Sequence, residues 1–234
     1  MYVVQQDGDS DLINVAIDGP AGAGKSTVAR MVAAQLGYVY VDTGSMYRAV
    51  TLGAQRQGLA ADDEERLTQF MKSLDIVLKP GANGQFVYMN GEDVTSLIRT
   101  REVTGAVSHY AASGIVREVL GVMQRNMALR KGIVMDGRDI GTHVLPDAEL
   151  KVFLTASVKE RALRRFKELG QEAVVTLQQL QEEIAERDRL DEQRELAPLL
   201  KASDAIELDS SDMTIDEVVD AIVKMSRTKL AEAK

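Results

Sequence analysis

One glycine-rich segment near the start of the chain restricts the fold more than any other part of the sequence. It reads GPAGAGKST, fits the pattern G-x-x-x-x-G-K-S/T, and follows a short apolar run, Ile13–Ile17, that predicts a buried strand. In this context the pattern predicts a loop whose backbone N–H groups converge on phosphate oxygens, with glycines where a Cβ would block the approach. The residues of this phosphate-binding loop are Gly19, Pro20, Ala21, Gly22, Ala23, Gly24, Lys25, Ser26 and Thr27.

The end of the loop carries the groups that a nucleoside triphosphate requires. Lys25 supplies a point charge to the β- and γ-phosphates, and the Ser26 hydroxyl is a candidate Mg²⁺ ligand. The helix that follows presents its positive N-terminal end to the same anion. Since no guanine-reading N-K-x-D segment occurs in the chain, a GTPase is disfavoured and adenine is the expected donor base.

Short apolar runs alternate with longer helix-period segments over most of the chain, a pattern typical of βα units. We therefore predict an α/β fold with a parallel five-stranded sheet flanked by helices. The predicted strands are Ile13–Ile17, Tyr38–Val41, Ile133–Met135, Leu150–Leu154 and Ala205–Leu208. The predicted helices are Lys25–Leu36, Ser45–Gln57, Ile115–Arg130, Val158–Leu169, Leu177–Leu190 and Thr214–Ala233.

Two regions break the alternation. Three strand-like pieces, Asp75–Leu78, Gln85–Met89 and Asp93–Ile98, are separated by turn signals and predict a small antiparallel insert. The helical segment Lys159–Glu195 is rich in Arg, Glu and Gln and predicts a mobile arm, or lid. We expect a disordered tail at 1–12 and a single domain at 13–234, with a core at about 13–44, 106–156 and 196–234, an insert at 45–105 and a lid at 157–195.

Composition excludes several classes of protein. The 234 residues include no cysteine, which rules out disulfides, thiolate metal sites and thiol catalysis. Two histidines, His109 and His143, are too few for a multi-histidine metal site. The net charge of −8 argues against a nucleic-acid coat or a membrane-surface protein. With no membrane-spanning run, signal peptide, coiled coil or long apolar patch in the sequence, we expect a cytoplasmic monomer without nucleic-acid or membrane partners.

Polar residues follow two of the predicted strands. The segment Asp42–Arg48 carries a carboxylate, hydroxyls and an arginine, and Asp136–Asp139 carries carboxylates and another arginine. Both lie where open α/β sheets bind ligands. Arginine matters here because its planar fork pairs bidentately with phosphate. The arginines that could converge on one cleft are Arg48, Arg117, Arg138, Arg187 and Arg194.

These motifs together resemble the bacterial-type cytidylate kinases, a family of phosphate-loop enzymes that transfer the γ-phosphate of ATP to CMP or dCMP. The resemblance covers nearly the whole chain from Asn14 onward and implies a P-loop NTPase core with a large acceptor-binding insert and an arginine-bearing lid. It implies Mg²⁺ as cofactor, with ATP and CMP or dCMP as substrates. The segments that carry it are GPAGAGKST at 19–27, DTGSMYR at 42–48, GEDVTSLIRT at 91–100, DGRDIGT at 136–142 and RDRLDEQR at 187–194.

The resemblance also implies roles for individual residues. Contacts to the acceptor phosphate fall on Arg48, Arg138 and Arg194, and contacts to cytosine fall on Ser108, Arg117 and Asp139. A carboxylate at Asp139 can accept a hydrogen bond from the exocyclic amine of cytosine, where uracil has a carbonyl. The remaining acceptor residues are Thr43 and Tyr47 beside the acceptor, and Arg187 and Asp191 near the sugar hydroxyls.

The predicted lid and the third strand add catalytic candidates. Arg161 and Arg165 lie four residues apart, with Arg164 beside them, and could reach the ATP phosphates when the lid closes. A solvated charged helix face is the alternative interpretation for these arginines. Asp136 resembles a carboxylate that assists Mg²⁺ together with Ser26. The predicted catalytic residues are Lys25, Arg138, Arg161 and Arg165.

Two alternatives stay open from the residues alone. A phosphate-loop kinase of a small hydroxylated metabolite would use Asp42 as general base for an alcohol acceptor. A nucleotide-sensing regulator would bind ATP and change shape without transferring a phosphoryl group. The number of arginines near the predicted loop favours an acceptor that itself carries phosphate.

Overall fold

A computed structural model describes residues 12–81, 84–169 and 175–232 of the chain. The tail predicted at 1–12 falls, except for Leu12, outside the described residues, as does the end of the last predicted helix at Ala233. Five parallel strands form the central sheet in the order β2-β6-β1-β7-β8. They are β1 (Asn14–Asp18), β2 (Val39–Asp42), β6 (Ile133–Asp136), β7 (Leu150–Thr155) and β8 (Ile206–Asp209). The predicted α/β fold with a parallel five-stranded sheet is therefore confirmed, and each predicted strand agrees within one residue at either end.

Helices cover both faces of this sheet because the strands are apolar on both sides. On one face, α1 (Lys25–Leu36) and α8 (Ile215–Glu232) pack against strand residues such as Val15 and Val152. On the opposite face, α2 (Thr43–Arg56) and α5 (Gly114–Ala128) pack against residues such as Val41 and Met135. In the described part of the chain no helix is both long and apolar enough to span a bilayer.

The insert contains a three-stranded antiparallel sheet, as predicted. Its strands are β3 (Ile76–Gly81), β4 (Gly84–Met89) and β5 (Glu92–Asp93), in the order β3-β4-β5. The third strand predicted at Asp93–Ile98 is wrong beyond Asp93. There the Asp93 carboxylate accepts hydrogen bonds from the backbone N–H and the hydroxyl of Thr95, which turns the chain out of the strand. A short 3₁₀ turn, Leu97–Arg99, follows.

Two helices, one before and one after the antiparallel sheet, were absent from the sequence prediction. They are α3 (Glu64–Lys72) and α4 (Arg101–Tyr110), each with an N-cap side chain, Asp63 and Thr100, that accepts a backbone N–H. The buried side chains of α3 and the insert strands join those of α2 and α5 in one hydrophobic cluster. The proposed limits of core, insert and lid remain predictions.

Two helices form the arm. They are α6 (Val158–Leu169) and α7 (Leu177–Gln193), and they share a small apolar cluster made by Ala162, Leu180 and Ile184. A capping box of Thr176 and Gln179 starts α7. The arm prediction placed the end of α7 at Leu190, three residues before the observed end, and the extra turn brings Arg194 to its C-terminus.

Candidate functional site

Three carboxylates lie at the carboxyl edge of the central sheet. Asp18 ends β1, Asp42 ends β2 and Asp136 ends β6, and Asp42 pairs directly with Asp136 in the parallel register. Asp18 accepts hydrogen bonds from the backbone N–H groups of Ile140 (2.8 Å) and Gly141 (2.7 Å), so it holds the chain that follows β6. Burial raises the pKa of Asp18 to about 6. This carboxylate therefore acts as a structural anchor for the segment that carries Arg138 and Asp139.

The phosphate-binding loop follows β1 in the expected conformation. Gly19, Gly22 and Gly24 have φ values of 146°, 76° and 85°, which L side chains rarely adopt. A Cβ on Gly19 would lie 2.0 Å from the carbonyl oxygen of Leu154, so the loop could not pass β7 with any other residue. Lys25 is buried and donates to the Pro20 carbonyl at 2.7 Å. Burial and the neighbouring charge of Arg138 lower the pKa of Lys25, while Asp136 opposes that shift.

Ser26 and Asp136, the predicted Mg²⁺ ligands, are in direct contact. The Ser26 hydroxyl donates to Asp136 Oδ2 at 2.8 Å, and the Tyr40 hydroxyl donates to Oδ1 at 2.9 Å. Burial and the charge of Asp42 raise the pKa of Asp136 to about 6. Since no cluster of three or more potential His, Cys, Asp or Glu ligands occurs among the described residues, a divalent ion here would need ligands from a nucleotide or from water. A hydroxyl and a carboxylate beside a phosphate loop suit Mg²⁺ in that way.

A cleft of about 610 Å³ runs along the sheet edge over the loop. One end, beyond the loop, lies between β8 and α8 and is lined by Ser210, Met213 and Ile215. The other end lies between α4 and α5, where Ser108 and Arg117 face it. The loop, Lys25 and Asp136 line the middle. The shape leaves room for two ligands whose phosphate groups meet over the loop.

Three guanidinium groups stand at the centre of the cleft without full compensation. Burial is the largest cause that lowers the pKa values of Arg48 and Arg187, and the charge of Arg138 lowers both further. The pKa of Arg187 falls to about 9. Within the ranges that the structure describes, the Arg48 side chain has no hydrogen bond or ion pair, and Nε of Arg187 is buried without a partner. Converging cations of this kind constitute an anion site.

At the end of the cleft near α5, the charged side chains are more completely paired with one another. Asp139 is buried and accepts hydrogen bonds from both Arg117 and Arg194, at 3.4 Å in the second case. Asp191 accepts from Arg138 Nε at 2.8 Å and from the Ser108 hydroxyl at 3.4 Å. This network joins β6, α4, α5 and α7. All seven acceptor-side residues predicted from 108 onward line this cleft: Ser108, Arg117, Arg138, Asp139, Arg187, Asp191 and Arg194.

The predicted residues on α2 occupy the same wall. Thr43 donates its hydroxyl to the Asp136 carbonyl at 2.7 Å and faces the cleft. The ring of Tyr47 lies 5.7 Å from the Arg117 guanidinium, and burial raises the pKa of Tyr47 to about 12, so the hydroxyl stays protonated. Tyr47 therefore packs against the Arg117–Asp139 pair with a neutral side chain.

The three arginines of α6 differ in their position relative to the cleft. Arg164 lines the cleft and donates to Ser210 Oγ at 3.1 Å. Arg161 is buried in contacts with the protein and does not line the cleft, and Arg165 is exposed and pairs with Glu168 at 3.1 Å. A phosphate contact from Arg165 thus requires α6 to move, and the catalytic roles assigned to Arg161 and Arg165 remain predictions.

Several site residues were missed from the sequence. Arg99 lines the cleft and pairs with Asp42 at 3.3 Å, and Gln85 bonds the backbone of β2 from the insert. Tyr40 supports Asp136. Arg99 lies in the segment GEDVTSLIRT, which was noted without a role for its arginine, whereas Gln85 and Tyr40 have no local pattern that marks them.

Known proteins resemble this chain over most of its length. The family model described as Cytidylate kinase matches residues 15–228. A cytidylate kinase of Geobacillus sp. (strain WCH70) is 52% identical over 219 residues, which cover 93% of this chain and 98% of that protein. One from Bacillus cereus (strain B4264) is 52% identical over 214 residues, covering 91% and 95%.

A solved structure shares the fold at low identity. An uncharacterized protein from Eubacterium ventriosum ATCC 27560 has a TM-score of 0.50 and 13% identity, with 93% of this chain and 99% of that chain covered. The family match extends over more than half of the chain, and the curated relatives match along nearly all of their own length. On these grounds the chain belongs to the cytidylate kinase family.

Proposed function

We propose that this protein is a nucleoside monophosphate kinase that transfers the γ-phosphate of ATP to CMP or dCMP, giving ADP and CDP or dCDP. The observation that carries the proposal is the convergence of Arg48, Arg138 and Arg187 opposite the phosphate-binding loop in one cleft. Among the described residues the Arg48 and Arg187 side chains have no hydrogen bond or ion pair, and Arg138 shares Asp191 with Arg194. A monophosphate and a triphosphate together would supply the missing negative charge. Membership of the cytidylate kinase family supports cytosine as the acceptor base.

The donor binds on the loop. The N–H groups of the loop and the N-terminus of α1 surround the β- and γ-phosphates, and Lys25 leaves the Pro20 carbonyl to contact them. Ser26, with Asp136 beside it, would hold Mg²⁺, which would neutralise charge on the triphosphate. The apolar end of the cleft near Met213 and Ile215 accommodates the donor base.

The acceptor binds at the opposite end. Arg48, Arg138 and Arg194 hold its phosphate, with Thr43 nearby, and Arg187 and Asp191 lie next to the sugar. Asp139 accepts from the exocyclic amine of cytosine while Arg117 and Ser108 complete the contact to the base. Arg117 and Tyr47 keep Asp139 in position through the ion pair and the packed ring.

The chemistry needs no protein base. A phosphate oxygen of CMP, whose second pKa is about 6, is mostly ionised at pH 7 and attacks the γ-phosphorus. The bond from that phosphorus to the β–γ bridging oxygen breaks, and ADP leaves. Alignment by the arginines and neutralisation by Lys25 and Arg138 lower the barrier. Asp42 is unsuited to the alternative role of base for an alcohol, because its oxygens already accept from Ser45 and Arg99.

Activity with a panel of acceptors tests the proposal. Release of ADP from ATP is measured with CMP, dCMP, UMP, AMP and a sugar alcohol, each over a range of concentrations. We expect CMP and dCMP to give the highest kcat/KM. Preference for the sugar alcohol would contradict the proposal, and ATP binding without acceptor-dependent turnover would identify a regulator.

Lys25→Ala serves as the matched inactive variant. Because Lys25 contacts the transferred phosphate in the proposed complex, the variant is expected to lose turnover by at least about a hundredfold with every acceptor. Wild-type activity in this variant would show that the donor site is elsewhere. Requirement for Mg²⁺, a cytoplasmic location and a monomeric state are part of the proposal, and chelation with excess EDTA and light scattering on the purified protein test the first and the last.

A further inference from the structure

A buried ion pair of the arm holds one peptide of the phosphate-binding loop from behind. Arg161 on α6 donates to the Ala21 carbonyl at 2.7 Å and pairs with Asp188 on α7 at 2.7 Å. The other oxygen of Asp188 accepts from the Ala21 N–H at 3.1 Å. Both polar backbone groups of Ala21 are thus bound by side chains of the arm. All of these groups are buried.

The planarity of the peptide bond turns these contacts into a constraint on the loop. The Ala21 carbonyl and the Gly22 N–H belong to one trans peptide, so they point in opposite directions. While Arg161 holds the carbonyl, the Gly22 N–H points away from Arg161, and Gly22 lines the cleft. In the preceding peptide, Asp188 holds the Ala21 N–H and Lys25 holds the Pro20 carbonyl.

The loop needs such support because its conformation is unfavourable by itself. Gly22 has φ of 76°, and its neighbours present several N–H dipoles toward the same point, which repel one another until an anion arrives. A loop already held in the binding conformation loses less conformational entropy when the triphosphate binds. A Cβ at Gly22 would also approach the Cβ of Arg161 to 3.3 Å, so the arm packs directly on the loop.

Arg161 and Asp188 do not line the cleft, whereas Arg187 and Asp191 on the same helix do. Two nitrogens of Arg161 are occupied by protein acceptors, Ala156 and Ala21, in addition to Asp188. We propose that Arg161 and Asp188 are positioning residues that keep the Ala21–Gly22 peptide oriented for the donor triphosphate. This inference rests on the proposed function for its kinetic readout and deepens it, since it assigns Arg161 an action through the loop.

Direct binding of a non-hydrolysable donor provides the main test. Adenylyl imidodiphosphate with Mg²⁺ is titrated into the wild type, the single variant Asp188→Asn and the double variant Arg161→Met/Asp188→Leu. The double variant replaces two buried charges by apolar side chains of similar volume, which often preserves stability. We expect both variants to bind the analogue at least about tenfold more weakly. This factor corresponds to the loss of one hydrogen bond between the loop and the triphosphate. CMP binding should change less than binding of the analogue, because neither Arg161 nor Asp188 lines the cleft.

The control is Arg189→Ala. Arg189 lies on the same helix and forms an exposed ion pair with Glu186 at 2.6 Å, so its removal tests charge loss on α7 without touching the loop. Its affinities for both ligands should equal those of the wild type. Thermal unfolding of each variant shows whether the fold is retained. If the double variant does not fold, binding of the analogue to Asp188→Asn tests the proposal.

The outcomes separate positioning from simple stabilisation. Weaker analogue binding in a double variant as stable as the wild type supports the proposal. If the double variant binds the analogue with the affinity of the wild type, the proposal is overturned, because the pair would then serve stability alone. Equal weakening for the analogue and for CMP also overturns it.

This experiment does not depend on the acceptor assignment. If the wild type fails to phosphorylate CMP, the proposed function fails, while analogue binding to the same variants still decides the role of the pair. Where CMP is a substrate, the variants should raise the KM for ATP and leave the KM for CMP near its wild-type value.

Discussion

At the scale of residues, the site is organised around charges that the protein does not fully neutralise. Asp139 balances two buried guanidinium groups, Arg117 and Arg194, and these two ion pairs fix the position of its carboxylate. The motif DGRD indicated an arginine and carboxylates at the sheet edge. It could not indicate the partners of Asp139, since Arg117 and Arg194 come from two helices distant in the sequence.

The role proposed for Asp139 predicts a loss that is confined to the acceptor. Asp139→Asn keeps the shape but presents a neutral amide, whose donor group conflicts with Arg117, Arg194 and the amine of cytosine. We expect kcat/KM for CMP to fall at least about a hundredfold, with the KM for ATP within about twofold. Steady-state kinetics with each substrate varied in turn measures both values. An equal loss toward CMP and UMP would contradict a role in reading the base.

The buried charge of Arg187 is expected to lower the stability of the fold although the proposed function requires it. Its pKa is lowered to about 9 by burial and by the charges of Arg138 and Arg48, so the charged form is less stable in the fold than in the unfolded chain. The fold therefore bears this cost at every pH below about 9, including neutral pH. We expect Arg187→Met to raise the free energy of unfolding at pH 7 by about 1–3 kcal/mol and to lower kcat/KM for CMP. Urea denaturation of the free protein measures the first effect, and a less stable variant would contradict the argument.

At the scale of elements, the sequence predicted the strands and helices whose apolar residues follow a regular local pattern. The five strands were found because each is a short apolar run, and Lys25–Leu36 and Val158–Leu169 were found with the observed bounds. The helix α3 was missed although Asp63 caps it, because Glu64–Lys72 is short and mostly polar. Contacts between elements, such as Asp188 on Ala21, had no local signal, since they depend on how the arm packs on the core.

One such contact joins the insert to the central sheet. Gln85 on β4 accepts from the Asp42 N–H at 3.1 Å and donates to the Tyr40 carbonyl at 2.8 Å, so its amide continues the hydrogen bonding of the edge strand β2. Gln85→Leu removes the acceptor of the buried Asp42 N–H and the donor to the partly buried Tyr40 carbonyl. We expect a loss of about 2–4 kcal/mol in the free energy of unfolding.

The same change should affect the two substrates differently. Because β2 leads into Thr43 and Arg48 at the acceptor end, the KM for CMP is expected to rise more than the KM for ATP. Chemical denaturation and steady-state kinetics on one preparation measure both effects. Gln35→Leu, a change in a residue of α1 remote from the cleft, is the control, and an equal effect of the two substitutions would refute the link between the sheets.

At the scale of the whole molecule, the acceptor end of the cleft is built by three parts of the chain. The segment after β6 contributes Asp139, α4 contributes Ser108, and α7 in the arm contributes Asp191. The carboxyl edge of the sheet could be predicted from the order of strands and motifs. The position of the arm could not, because it follows from side-chain packing between α7, α4 and the loop.

A ligand that touches all three parts should stabilise the entire fold. CMP at about 100 times its Kd is expected to raise the free energy of unfolding by about 2.7 kcal/mol, since it binds the folded state alone. For a chain of this size that corresponds to an increase in Tm of roughly 5–11 °C, which differential scanning fluorimetry can measure. UMP at the same concentration should give less than half of this shift, because its carbonyl faces the carboxylate of Asp139. The difference between CMP and UMP should disappear in Asp139→Asn, and equal shifts from both nucleotides in the wild type would show that the base is read elsewhere.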